Sequence, residues 1–134
     1  MMQLSDVRDM VAEYGIAEDE HCYCGKLQGN LTEAIGAYPL KSGHPYRRAI
    51  GGAESYHRKD ISFLVHWSKS CGDTEEKSNA LFDALKNTRN QTINGILVLF
   101  IIPTYDEPIP IGTDDAGIYE YVIECSIYYT ESED

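Results

Sequence analysis

No Lys or Arg follows Arg89, so the last third of the 134-residue chain carries no fixed positive charge. A phosphate backbone is held by clustered Lys and Arg, and a chain of net charge −11 offers little of that. Sequence-specific nucleic-acid binding is therefore not expected. Long apolar runs are also missing. The longest, Ile96 to Ile102, is far too short to cross a bilayer, and the acidic, amphipathic start MMQLSDVRDM has no secretory signature. A soluble, intracellular protein that makes no use of a membrane is the expectation. Its four cysteines (Cys22, Cys24, Cys71, Cys125) should then stay reduced, and the sequons at Asn30 and Asn90 carry no weight.

Catalytic and cofactor motifs are absent in the same way. Cys22 and Cys24 stand two apart with no second pair at zinc-finger spacing, so they read as small buried strand residues and not as metal ligands. Cys71 precedes a helix start, where a thiol can be activated, but no His has a sequence-evident relation to it. Lys26 follows Gly25 without the glycine spacing of a phosphate loop. The runs Glu18-Asp19-Glu20 and Asp114-Asp115 lack the alternating oxygen ligands of a calcium loop. His66 reads as a partly exposed sheet residue, while His44 and His57 flank a basic segment and would add charge there below neutral pH. The chain is not expected to be an enzyme, nor to hold a cofactor or metal.

What is present is a globular composition, 43% hydrophobic and 25% charged, which is too apolar for a disordered chain. One domain over 1–134 is expected, burying roughly two-thirds of its unfolded surface. Ser5 can cap a first helix, with Leu4, Val7, Met10, Val11 and Tyr14 at helical spacing and Gly15 to end it. Short strands follow at His21–Leu27 and Ala34–Leu40, then a loop over about 41–58. Ile61, Phe63, Val65 and Trp67 line one face of a clearer strand. A helix over Thr74–Thr88, opened by an Asp73/Glu76 capping box, buries Leu81, Phe82, Ala84 and Leu85. Asn94-Gly95 makes a turn into Ile96–Ile102, whose unbroken apolarity calls for cover on both faces, hence a central strand. Pro103 to Gly117 reads as an over-long acidic loop, and Ile118 to Thr130 as a long last strand with a fraying end at about 131–134. The class is α+β: a small mixed, mostly antiparallel sheet with two helices on one face.

Charge and tyrosine carry the remaining signal. Lys41, Arg47, Arg48, Arg58 and Lys59 face a single acid, Glu54, between positions 41 and 59. That segment is +4, which leaves −15 for the rest of a chain totalling −11. A solvated acidic surface with one basic loop accounts for this; so does head-to-tail association, the basic segment of one subunit meeting an acidic face of the next. Four of the ten tyrosines lie between Tyr119 and Tyr129. Tyr119, Tyr121 and Tyr129 share a face with Ile123 and Ile127 and read as core. Tyr128, on the opposite face, and Tyr105, in the acidic loop, read as interface residues. The candidate subunit or partner interface is Arg47, Arg48, Arg58, Lys59, Tyr105, Asp114, Asp115 and Tyr128.

Several short motifs occur in a telling order. Tyr23-x-Gly25-Lys26-Leu27 comes before the Ile61–Trp67 strand and the Asp73–Thr88 helix. Thr92-Ile93-Asn94-Gly95, the apolar strand with its proline, and Gly117-Ile118-Tyr119-Glu120-Tyr121 follow. From about Leu4 to Thr130 this resembles the minor capsid proteins of long-tailed phages that include tail terminators, tail-completion and head–tail joining proteins. Lys41 to Tyr56 matches nothing in the family pattern. The resemblance implies a structural virion protein, a homohexamer in the virion that can be monomeric in isolation. Its ring would cap the tail tube at the neck and meet head-completion proteins, after assembly in the host cytoplasm. The competing reading, from charge alone, is an acidic monomeric inhibitor or immunity-type module against a basic partner.

Overall fold

In a computed structural model, residues 1–27, 31–40 and 56–131 are described. The chain opens with α1 (Leu4–Glu13), which buries Val7, Met10 and Val11. The expected cap, Ser5, lies inside the helix. Gln3 takes the capping position instead, and its backbone N–H donates to the Asp6 carboxylate at 2.8 Å. Gly15 ends the helix with φ +74°, a conformation that suits a residue without Cβ.

A 3-10 turn (Asp19–His21) leads to the short β1 (Cys22–Cys24), then β2 (Ala34–Pro39) and β3 (His57–His66). Helix α2 (Cys71–Lys86) starts three residues earlier than predicted, because Ser70 caps it by accepting from the Asp73 amide at 3.2 Å. It buries Thr74, Ser78, Leu81, Phe82 and Leu85, while Ala84 is only partly covered. After it come β4 (Arg89–Ile93), β5 (Ile96–Pro103), β6 (Ile109–Thr113) and β7 (Tyr119–Glu131). Asn94 and Gly95, at φ +51° and +81°, form the tight turn of the β4–β5 hairpin.

Among the described residues the sheet runs β1-β2-β3-β7-β5-β4, with β6 also on β7. Only the β1–β2 pairing is parallel, so the predicted class holds. Its spine is the ten-pair register between β3 and β7, from His57↔Tyr129 to His66↔Glu120. Both helices lie on one face and close a single core with Phe63, Val65, Val98, Ile123 and Ile127. The Tyr14 hydroxyl meets Thr88 Oγ1 at 2.5 Å and so ties the end of α1 to the end of α2; burial pushes its pKa up to about 12.

Four expectations need correcting here. Strand β5 does lie inside the sheet, but it is covered on one face only. Ile96, Val98 and Ile101 are buried, whereas Leu97 and Phe100 are half-buried and Ile102 is exposed. Pro103 to Gly117 is no free loop. The Thr104 amide donates to the Glu124 carbonyl, and β6 then pairs with β7 from Ile109↔Val122 to Thr113↔Tyr119. Cys24 is exposed, because β1 ends there and Gly25 turns the chain at φ +83°. His66, expected to be partly exposed, is buried. Strand β3 begins at His57 and β7 runs to Glu131, paired with Ile96; the remainder of the expected loop and of the fraying end lies outside the described residues.

Candidate assembly surface

The face of the sheet away from the helices is where charged and aromatic side chains gather. At one end of the β3–β7 pair, residue 58 sits opposite 128 and residue 100 beside it. This register brings three rings together. Tyr128 stacks on Phe100 with centroids 4.8 Å apart and meets Tyr56 at 5.8 Å. The Arg58 guanidinium lies 5.8 Å from the Tyr128 ring centroid. Arg58 Nε also donates to Asp60 Oδ1 at 3.0 Å, and the Ser126 hydroxyl donates to the same oxygen at 2.5 Å. That carboxylate supplies the hydrogen-bond partner that Ser126, buried on a half-wet face, requires.

The other end of the pair is acidic. Asp114 opens the turn between β6 and β7, its Oδ1 accepting from the Ala116 and Ile118 amides at 2.9 Å each. The Ile118 N–H, above all, holds this carboxyl below the usual carboxylate range, with help from the Ala116 amide and the nearby His66. His66 Nε2 lies 3.1 Å from Asp114 Oδ2, and its Nδ1 lies 3.9 Å from Glu120 Oε2. Asp115 is exposed beside them.

Of the residues singled out from sequence, Arg58 and Tyr128 are brought into contact. Lys59 registers with Ile127 and so stands on the opposite face from them. Asp114 and Asp115 lie near the far end of the strand pair. Positions 58 and 66 are eight residues apart on β3, or roughly 26 Å at strand rise. Tyr105 is 52% exposed in the link between β5 and β6, so it is available for contact. Arg47 and Arg48 lie outside the described residues. Tyr121 and Tyr129 are core as expected, and Tyr119 is half-buried.

Sequence reading missed Phe100 and Tyr56 as partners of Tyr128, and His66 as the partner of Asp114. The signal for Phe100 was hidden by a β-bulge between Val98 and Phe100, which reverses the alternation inside the apolar run. Away from this face, a depression of about 280 Å³ between α1 and Asn94 is lined by Arg8, Asp9, Glu13 and Asp19. Its one cation is engaged: Arg8 donates to the Cys22 carbonyl at 2.8 Å and pairs with Asp9 and Asp19. Buried Cys125 has its thiol pushed up to about 12 by burial, which removes it as a nucleophile. Among the described residues no group of three or more His, Cys, Asp or Glu is placed to hold a metal ion, and no helix is long and apolar enough to cross a membrane.

Residues 10–131 match the family described as bacteriophage tail terminator protein. The chain belongs to that family. The match includes the last turn of α1, all of α2, the whole described sheet and the surface just described. Membership makes the chain a structural component of a phage tail, and no match to a curated protein adds to it.

Proposed function

We propose that this tail terminator forms a hexameric ring that caps the tail tube, halts its polymerisation and offers the surface on which head-completion proteins dock at the neck. The family match over residues 10–131 carries this reading. Subunits would associate head to tail, with the basic 41–59 segment of one copy against acids of the next. Two observations support the arrangement. Arg58 and Asp114 lie near opposite ends of the β3–β7 pair, so these opposite charges stay apart within a subunit and are free to meet between copies. From position 90 onward the chain contributes nine acids and no Lys or Arg, a composition that repels DNA from any wall it forms.

The decisive experiment is mass measurement with negative-stain imaging, on the subunit alone and mixed with tail tubes. A six-fold ring, free or seated on the tube end, is the expected outcome. A strict monomer that ignores tail tubes and tightly binds a cationic protein sinks the reading in favour of an inhibitor-type module. Reversing Arg47 and Arg48 to Glu should cost at least tenfold in assembly (about 1.4 kcal/mol). Unchanged assembly would put the contact elsewhere.

A further inference from the structure

Five large apolar side chains are exposed among the described residues, and four of them gather at two places on the sheet. Tyr56 and Ile102 flank the Arg58–Tyr128–Phe100 cluster, Ile102 lying two residues along β5 from Phe100 on the same face. Tyr105 and Ile111 belong to the link between β5 and β6 and to β6 itself. This second place is firmly held. The Thr104 amide donates to the Glu124 carbonyl at 2.8 Å and Pro108 is buried, so Tyr105, Asp106 and Glu107 form a short exposed loop pinned at both ends. Beyond it, β6 has β7 on one side and no strand on the other among the described residues. A bare edge of this kind invites another strand. Pro110, however, lacks the N–H that such a strand would use, and a bulge interrupts the register beside it. Whatever docks here is therefore held by side chains, and those are apolar and acidic. Glu75 of α2 adds to the negative charge, since burial, then Glu75, Cys71 and Glu107, push the Tyr121 hydroxyl upward.

We propose that this edge, formed by Tyr105, Asp106, Glu107 and Ile111, receives the Arg58–Tyr128 cluster of a second copy of the chain. The inference rests on the head-to-tail association proposed above and supplies its acceptor. Complementarity selects the occupant. Two acidic edges repel each other, so the edge does not pair with its own image. The cluster carries the opposite sign: Arg58 is exposed and lies in the 41–59 stretch, whose net charge is +4. Tyr56 and Tyr128 bring ring surface to meet Tyr105 and Ile111. Within one subunit the cluster does not reach the β6 edge. Tyr128 and Tyr121, the partner of Pro110, stand seven residues apart on β7, roughly 23 Å at strand rise. Contact between two different patches is heterologous and passes from copy to copy, as a closed ring requires.

The test is sedimentation of the full chain, alone and mixed with tail tubes. Ile111→Lys, and the double change Asp106→Lys with Glu107→Lys, should each weaken assembly about tenfold while the urea midpoint stays that of the wild type. Arg58→Glu should weaken it as much, and combining it with the two acceptor lysines should restore assembly to within about threefold of wild type. Should Arg58→Glu unfold the chain through its contact with Asp60, Tyr56→Glu places the same charge at an exposed neighbouring position. Assembly unchanged by both acceptor variants overturns the proposal, as does a charge swap that assembles no better than its parents. A wild-type chain that stays monomeric with and without tail tubes removes the head-to-tail reading itself, and this contact with it.

Discussion

One face of the sheet is roofed by both helices and the other is bare, although the same strands build both. On the roofed side Ile61, Phe63 and Val65 of β3 meet Ile123, Cys125 and Ile127 of β7, all buried against α1 and α2. On the bare side the intervening residues are Ser62 and Leu64, Glu124 and Ser126, with Phe100 and Tyr128 near the end. The first set is held by removal from water, worth about 1.5–3 kcal/mol for each large side chain. The second set is held by cross-strand pairs worth about 0.2–1 kcal/mol each. Folding therefore rests mainly on one face and leaves the other to carry charged and aromatic side chains.

The strongest test of that contrast is Phe63→Ala. Phe63 is fully buried at the centre of the β3–β7 register, and its loss leaves a cavity that rigid neighbours on two layers cannot fill. A destabilisation of about 3–5 kcal/mol is expected in urea unfolding, with an unchanged slope. A loss below about 1 kcal/mol would mean that the helical layer does not govern stability.

Tyr128→Ala addresses the bare face. The substitution removes the stack on Phe100, the tilted contact with Tyr56 and the ring beneath Arg58. Aromatic pairs of this kind contribute about 0.5–1.5 kcal/mol, and an exposed cation–π contact about 0.5–1. A total effect of about 1–2 kcal/mol is expected, because the three contacts share one ring and do not add fully. If the cost matched that of Phe63→Ala, the aromatic group would be a second core and not a surface cluster.

The two faces also differed in how well the sequence revealed them. Strict alternation in Ile61–Trp67 and Tyr121–Tyr129 displayed the roofed face directly, since period-two burial is what such residues signal. The bare face was obscured at each point where backbone geometry departs from the rule. The bulge at Val98/Phe100 made a one-sided strand look apolar on both sides. Pro108, Pro110 and Gly112 disguised β6 as loop, though an edge strand tolerates a missing N–H. Strand β4, rich in polar residues and with Asn90 at φ +49°, offered no apolar pattern. The pairing of His66 with Asp114 joins residues 48 positions apart, through a hairpin whose existence had been missed. Composition did mark Arg58, Tyr128 and the aspartates as surface candidates, but only the β3–β7 register tells which of them share an end of the sheet.

The smallest expected effect is the most discriminating. Ile102 is 51% exposed on the bare face, opposite Ser126 of β7 and beyond the reach of the helices. Replacing it by Lys introduces the first cation after Arg89 on a face that carries Glu124. The lysine stem can lie along the sheet where the isoleucine lay, while its ammonium remains in water. Surface changes of this type stay within about 0.5 kcal/mol, and the unfolding midpoint of Ile102→Lys should overlay that of the wild type. A loss above about 1.5 kcal/mol would mean that the bare face is packed in the folded subunit, and the division of labour between the faces would fail. A null result shows that this part of the bare face adds little to stability, so that a change in assembly caused by substitution at Ile102 can be read without correction for unfolding.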